Sequence, residues 1–248
     1  MTQTEQMSER HEVEPGQTLL EVNNLTMHYK TKEGWVSAVD DVSFELKRGD
    51  SLGLVGESGC GKTSVALTLL RLQASNAEIK GGEIKLAGED LLPLTEEQMR
   101  DRRWNDISMV FQGAMNAWNP VYRIGDQIRE ALDLHWPVKL TRDEARDRIA
   151  DLFALVGLSP EAMDRYPHEF SGGMRQRATI AMALSCNPQL IIADEPTTAL
   201  DVIVQDQILK ELKKIQSELG MSIIYISHDI AVIAPSHTSP VYAVRLVK

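Results

Sequence analysis

The stretch SLGLVGESGCGKTS, Ser51 to Ser64, constrains this chain more than any other. Ser51-Leu52-Gly53-Leu54-Val55 is a short apolar run that reads as a buried strand, and Ser64 to Leu70 reads as a helix. Between them GESGCGKT fits the spacing G-x-x-x-x-G-K-[ST] at Gly56, Gly61, Lys62 and Thr63, in the strand–loop–helix setting that gives the spacing meaning. Glycines let the backbone wrap closely round a phosphate with its N–H groups turned inward. The helix that follows aims its positive dipole end at the same anion. Gly56, Glu57, Ser58, Gly59, Cys60, Gly61, Lys62, Thr63 and Ser64 are therefore expected to hold a nucleoside triphosphate. Lys62 would lie against the β- and γ-phosphates, and the Thr63 hydroxyl would be a ligand of Mg²⁺.

A chain of 248 residues, 43% hydrophobic and 25% charged, is long enough for one large α/β domain or a domain with a small lobe. The net charge of −10 argues against a broad nucleic-acid surface but not against one phosphate ligand held by local geometry. The two cysteines, Cys60 and Cys186, suggest no disulfide framework and point to a reducing compartment. Residues 1–17 are polar and read as a flexible tail. No run approaches the ~18 apolar residues of a membrane span, so work at a membrane would need other chains to cross it.

In chain order, Thr18 to Val22, Leu25 to Lys30 and Trp35 to Leu46 alternate and suggest an antiparallel sheet ahead of the phosphate loop. Tyr29 lies in it, and the pattern leaves two readings open: a half-exposed strand tyrosine, or a ring that stacks on a nucleotide base. Gly81 to Gly88 reads as a strand and turn, and Thr95-Glu96-Glu97-Gln98 has capping-box spacing before a helix to about Trp104. Asp106 to Phe111 is a short apolar strand ending in Gln112. Residues 112–167 read as mostly helical, a lobe inserted between two strands of the main sheet. Within it, Thr141 to Glu144 is a second capping box, and Ile149, Leu152, Phe153 and Val156 follow at helical spacing to Gly157. Ser171-Gly172-Gly173 opens a helix that stops at Asn187-Pro188. Leu190 to Asp194 is a buried strand, a long helix runs from about Asp201 to Leu219, and Ser222 to Ile226 is another strand. No internal repeat or low-complexity segment is present.

Four strand ends carry polar residues: Val55 before the loop, Phe111 before Gln112, Ala193 before Asp194-Glu195, and Ile226 before Ser227-His228. In a parallel α/β sheet, ligands bind at the carboxyl ends of strands, so these four can meet at one nucleotide. Asp194 then serves Mg²⁺, and Glu195 polarises a water toward the γ-phosphate. His228 donates a hydrogen bond that distinguishes ATP from ADP.

Phe170-Ser171-Gly172-Gly173-Met174-Arg175-Gln176-Arg177, just ahead of LIIADEPTTALD, resembles the signature and Walker B region of ABC-transporter ATPase subunits. The resemblance runs from about Leu19 to Ile233. It implies a P-loop NTPase of ABC type. The core would be residues 18–111 and 168–248, a mostly parallel RecA-like sheet with an antiparallel β subdomain, and residues 112–167 would be the inserted helical subdomain. It implies ATP and Mg²⁺ as ligands, Tyr29 stacked on adenine, and Gln112 as the glutamine near the metal. Glu195 would be the catalytic base, assisted by Lys62 and His228. FQGAMNAWNPVYRIGDQI, YPHEFSGGMRQR and DEPTTALDVIVQDQIL are similar to the oligopeptide/dipeptide importer branch, and related importers of nickel or oligosaccharides share such sequences. The family works as a head-to-tail dimer in which Ser171, Gly172, Gly173, Met174 and Asp201 meet the ATP of the partner ATPase subunit. The resemblance thus implies a second ABC ATPase subunit, transmembrane permease subunits docking near Asn116 to Tyr122, and indirectly an extracytoplasmic solute-binding protein. It implies no nucleic acid, and a peripheral position on the cytoplasmic face of the membrane.

Two departures stand out. Cys60 occupies a position where many such loops have serine, either as a thiol of raised reactivity at a helix N-terminus or as the filler of a small-residue slot. After His228-Asp229 the chain reads IAVIAPSHTSPVYAVRLVK, where the family continues a helix, adds strands and carries a tail. Pro235 is expected to break that helix and Val241 to Val247 to supply one last strand. The expectation is a C-terminally truncated or frameshifted product, which keeps an inactive or regulatory nucleotide-binding protein as an alternative. A soluble ABC ATPase of DNA repair or translation is the other. Long coiled-coil insertions or a second ATPase domain would favour it, and this sequence has neither.

Overall fold

Strands dominate the first hundred residues and helices the middle of the chain in a computed structural model that describes residues 16–198, 200–228 and the backbone of 243–245. The strands are β1 (Thr18–Thr31), β2 (Gly34–Lys47), β3 (Ser51–Val55), β4 (Ala77–Leu86), β5 (Glu89–Asp90), β6 (Ile107–Val110), β7 (Leu190–Asp194), β8 (Ser222–Ser227) and β9 (Ala243–Arg245). The helices are α1 (Lys62–Leu69), α2 (Glu96–Arg102), α3 (Ile124–His135), α4 (Arg142–Leu155), α5 (Gly172–Ala183) and α6 (Val202–Leu219). The expected tail, residues 1–17, lies outside the described residues except for its last two, and so does Pro235. The chain divides into two compact units, residues 1–100 with 220–248, and residues 101–219.

The first unit holds an antiparallel sheet in the order β2-β1-β4-β5. The two strands expected over Thr18 to Val22 and Leu25 to Lys30 are one strand with register shifts between Val22 and Leu25. The irregularity falls at Asn24, whose φ of +50° an asparagine tolerates. Its N–H donates to Ser43 Oγ at 2.8 Å and its side-chain amide to Asp41 Oδ1 at 2.7 Å. Gly82 faces the same bulge with φ +102°, and a Cβ there would stand 2.6 Å from Leu25 Cα.

In the same unit β3 pairs parallel with β8 and with β9. The last strand read over Val241 to Val247 is realised over Ala243–Arg245, where Gly53 faces Ala243 and Val55 faces Arg245. Every residue of β3 and of β8 is buried, which explains their continuous apolar runs. Val65, Ala66 and Leu69 form the buried face of α1. Burying each Leu, Ile or Val side chain in such a core contributes about 1.5–3 kcal/mol.

The second unit pairs β6 and β7 in parallel, Ile107 opposite Leu190 and Val110 opposite Ala193. Helix α4 opens with the expected capping box: Glu144 N–H donates to Thr141 Oγ1 at 3.3 Å, and Thr141 N–H donates to Glu144 Oε2 at 2.7 Å. Hydrogen bonding to Thr141 holds the Glu144 carboxyl below its usual range. Ile149, Leu152, Phe153 and Val156 are all buried, as their helical spacing predicts. Arg148, on the same helix, donates to the carbonyls of Leu184 and Ser185 and so closes the C-terminal end of α5. Burial lowers the Arg148 pKa from the usual guanidinium value.

Candidate functional site

The phosphate-loop candidate begins where β3 ends. Helix α1 starts at Lys62, two residues earlier than the apolar pattern suggested, because Gly61 takes the N-cap in the left-handed region with φ +98° and ψ +1°. No side chain caps this helix and its first turn carries no acidic residue. The N-terminal amides thus keep the polarity that suits an anion. A Cβ on Gly61 would collide with the carbonyl oxygen of Ala38, so β2 passes directly behind the loop. Gly59 also has positive φ, +79°, but with open space beside it, where a ligand can approach the backbone.

Lys62 is only 6% exposed. A buried ammonium needs partners, and Nζ donates to Gly56 O at 2.7 Å and Glu57 O at 2.8 Å and lies 3.6 Å from Cys60 Sγ. Cys60 is itself buried, which fits the small-residue slot; the uncapped helix start and the neighbouring ammonium favour a reactive thiol. Tyr29 is half-buried, and its hydroxyl lies 3.2 Å from Ser64 Oγ, which ties β1 to the third residue of α1. His228 follows β8. Because Val55 faces Ser227 in the parallel register, Gly56 and His228 leave the sheet side by side at its carboxyl edge. The donor set here suits a polyphosphate: uncapped helix amides, a buried ammonium, and the hydroxyls of Thr63 and Ser64 on the first turn.

The second unit repeats this logic. Val110 faces Ala193, so Gln112 and Glu195 emerge together at the carboxyl edge of β6 and β7. Gln112 Nε2 donates to Glu195 Oε2 at 2.8 Å. Asp194, the last residue of β7, is 2% exposed. Glu195 has φ +46°, a backbone conformation that costs a non-glycine residue roughly 1 kcal/mol or more. Such strain concentrates where a side chain must point in one direction. Thr198, passed over in the sequence, also donates to Glu195 Oε2, at 2.9 Å. The signal that would have found it is the four-residue turn spacing with proline second.

Ser171 is the N-cap of α5, its Oγ accepting from Met174 N–H at 3.2 Å. A Cβ on Gly173 would come within 3.0 Å of Val204 Cγ1, so glycine there lets the start of α5 sit close against α6. Asp201 Oδ1 accepts from Val204 N–H at 3.0 Å and caps α6. Ser171 and Asp201, two of the five residues that the resemblance assigns to a partner's nucleotide, therefore also shape a helix start within this chain. Among the described residues no group of three or more His, Cys, Asp or Glu could hold a metal ion, and no helix is long and apolar enough to cross a membrane.

The ABC transporter family model matches residues 39–198, a span that runs from β2 through the phosphate loop, Gln112, Ser171 and Glu195. The chain belongs to the ABC transporter family. It is 45% identical over 235 residues to a probable peptide ABC transporter ATP-binding protein, y4tR, of Sinorhizobium fredii, covering 93% of this chain and 70% of that protein. It is 44% identical over 235 residues to the oligopeptide transport ATP-binding protein OppD of Bacillus subtilis, covering 93% and 65%. The chain thus spans about two thirds of the length of these ABC relatives. Among solved structures, the dimeric ATP-binding cassette MJ0796, in a post-hydrolysis state bound to ADP and Pi, superposes with a TM-score of 0.76. It is 28% identical, with 86% of this chain and 90% of that one covered. The α/β architecture is that of an ABC ATPase cassette, with parallel pairing in the core and a separate antiparallel sheet.

Proposed function

We propose that this chain is the ATP-binding and ATP-hydrolysing subunit of an ABC importer for di- or oligopeptides. The observation that carries the reading is the Glu195 carboxylate, set at the end of β7 and held at 2.8 Å by Gln112, in a chain that also keeps Lys62 buried at an uncapped helix start. The 45% identity to a peptide transporter ATP-binding protein supports the cargo class. An inactive regulator would be expected to lack Lys62 or Glu195, and both are present.

In this mechanism the amides of residues 59–63 and the Lys62 ammonium bind the phosphates, and the Tyr29 ring stacks on adenine. Thr63, Asp194 and Gln112 are the residues that would hold Mg²⁺, which supplies charge neutralisation to the phosphate oxygens. Glu195 accepts a proton from the attacking water, and His228 donates to the terminal phosphate. Positioning and charge neutralisation are most of what phosphoryl transfer needs, so this small set is sufficient. The Ser171–Met174 helix start and Asp201 face the nucleotide of a second ABC ATPase subunit; the dimeric state of MJ0796 supports the pairing of two such subunits. Residues 112–167 form the helical lobe that docks on transmembrane permease subunits at the cytoplasmic face of the membrane. A solute-binding protein on the other side delivers the peptide.

The test is ATP turnover by the purified chain and by Glu195→Gln. Turnover is expected in the first and a loss of about 100-fold or more in the second, with ATP still bound. A wild-type chain that binds no ATP would remove the reading altogether.

A further inference from the structure

The turn after Glu195 carries a hydroxyl that the mechanism above leaves unused. Glu195-Pro196-Thr197-Thr198 is closed by Thr198 N–H donating to Glu195 O at 3.1 Å. Proline in the second position suits the backbone angle such a turn requires. This closure carries the Thr198 hydroxyl back to the carboxylate three residues earlier, where it donates to Oε2 at 2.9 Å. Gln112 Nε2 donates to the same oxygen at 2.8 Å.

The loop that holds Thr198 is itself anchored. Gln205, in the first turns of α6, donates from Nε2 to Thr197 O at 3.2 Å and to Leu200 O at 3.0 Å. Thr197 is 5% exposed and Pro196 is buried, so the turn is fixed from beneath. Asp201 fixes the start of α6 in turn through its cap to Val204.

We propose that Thr198 is a positioning residue for Glu195. It clamps Oε2 and so aims the carboxylate at the attacking water; this rests on the assignment of Glu195 as the base. The physical need is plain. A glutamate side chain has several rotors and samples many staggered states unless something holds it. Displacing a catalytic group by about 1 Å can cost on the order of 100-fold in rate. The two clamps differ in kind. Gln112 reaches Glu195 from the end of another strand, across 83 positions of sequence, whereas Thr198 is three positions away on one anchored turn. The hydroxyl therefore travels with the carboxylate whatever Gln112 does.

The experiment compares ATP turnover and ATP affinity for the wild type, Thr198→Val, Thr198→Ser, Glu195→Gln and the double variant Glu195→Gln/Thr198→Val. Valine keeps the shape and removes the hydroxyl. Expected is a fall of about 10-fold in kcat for Thr198→Val with KM and ATP affinity within about twofold of wild type. Thr198→Ser should recover most of the rate, and the double variant should be no slower than Glu195→Gln alone. Wild-type kcat in Thr198→Val overturns the proposal. So does a loss in which ATP affinity falls with the rate, or one that serine does not repair, since either marks a merely structural threonine. A Glu195→Gln variant with full turnover instead overturns the functional reading, and this proposal with it.

Discussion

Gln112 Nε2 stands 2.8 Å from Glu195 Oε2, although 83 positions of chain separate the two residues. The contact exists because β6 and β7 pair in parallel with Val110 opposite Ala193, which delivers both side chains to one edge of the sheet. It joins the residue that opens the helical segment to the proposed base, so movement of one is felt by the other. Gln112→Ala should reduce kcat for ATP by about 10- to 100-fold with a much smaller change in nucleotide affinity, because the uncapped helix amides and the Lys62 ammonium that hold the phosphates stay in place. Steady-state turnover beside equilibrium nucleotide binding checks this; an equal loss in both would contradict it.

Two loop glycines should respond differently to alanine. At Gly61 the backbone has φ +98° and a Cβ meets the Ala38 carbonyl, so Gly61→Ala must move either the loop or β2. At Gly59, φ is +79° but the space is open, so Gly59→Ala carries only the left-handed penalty of about 1–2 kcal/mol. Gly61→Ala should lose nucleotide affinity by more than about 10-fold, and more than Gly59→Ala does. Fluorescent nucleotide titration of the two variants tests the order, and the reverse order would refute it.

The Cys60 sulfur is 3.6 Å from the Lys62 ammonium, and the residue is 8% exposed. Burial should make alkylation slow, and the adduct, once formed, should displace the ammonium from the loop and stop hydrolysis. Bound nucleotide should protect the thiol further. Mass spectrometry of modified protein alongside its turnover checks both points; full modification with unchanged hydrolysis would show that the sulfur only fills space.

Cys186 is buried beyond the end of α5, and burial raises its pKa from 9.0 to about 11. The folded chain therefore keeps this proton over a range in which the unfolded chain has released it. The unfolded state binds fewer protons there, so stability falls as pH rises from about 9 to about 11 and this contribution is constant outside that window. The loss amounts to roughly 3 kcal/mol at most. Cys186→Val should flatten that part of the profile, and thermal melts of both proteins between pH 8 and pH 11 would show it. Parallel profiles would rule the thiol out.

Local chemistry was legible. Thr141 with Glu144 and Thr95 with Gln98 both form the reciprocal caps that their spacing announces. Each depends on groups within one helical turn, so four letters suffice to predict it. The buried strands announced themselves by apolar runs for the same reason. Two features were not legible. Asn23-Asn24 looked like a break between strands, yet Gly82 of β4 accommodates the bulge and keeps β1 continuous. Thr198 drew no reading from the sequence, because only the folded turn brings its hydroxyl onto Glu195.

GESGCGKT and the two capping boxes could be read letter by letter, because neighbours in the chain create those shapes and no distant partner is consulted. The letters also carry the family, since its motifs are runs of adjacent residues. Which strand lies beside which, and in what register, is a property of the folded molecule. Val55 beside Ser227 and Val110 beside Ala193 are settled by the burial of whole sheets, where a slip of one residue would turn every side chain to the opposite face. Those two registers bring His228 to the edge where the phosphate loop begins and Gln112 to Glu195, and no local pattern contains either distance.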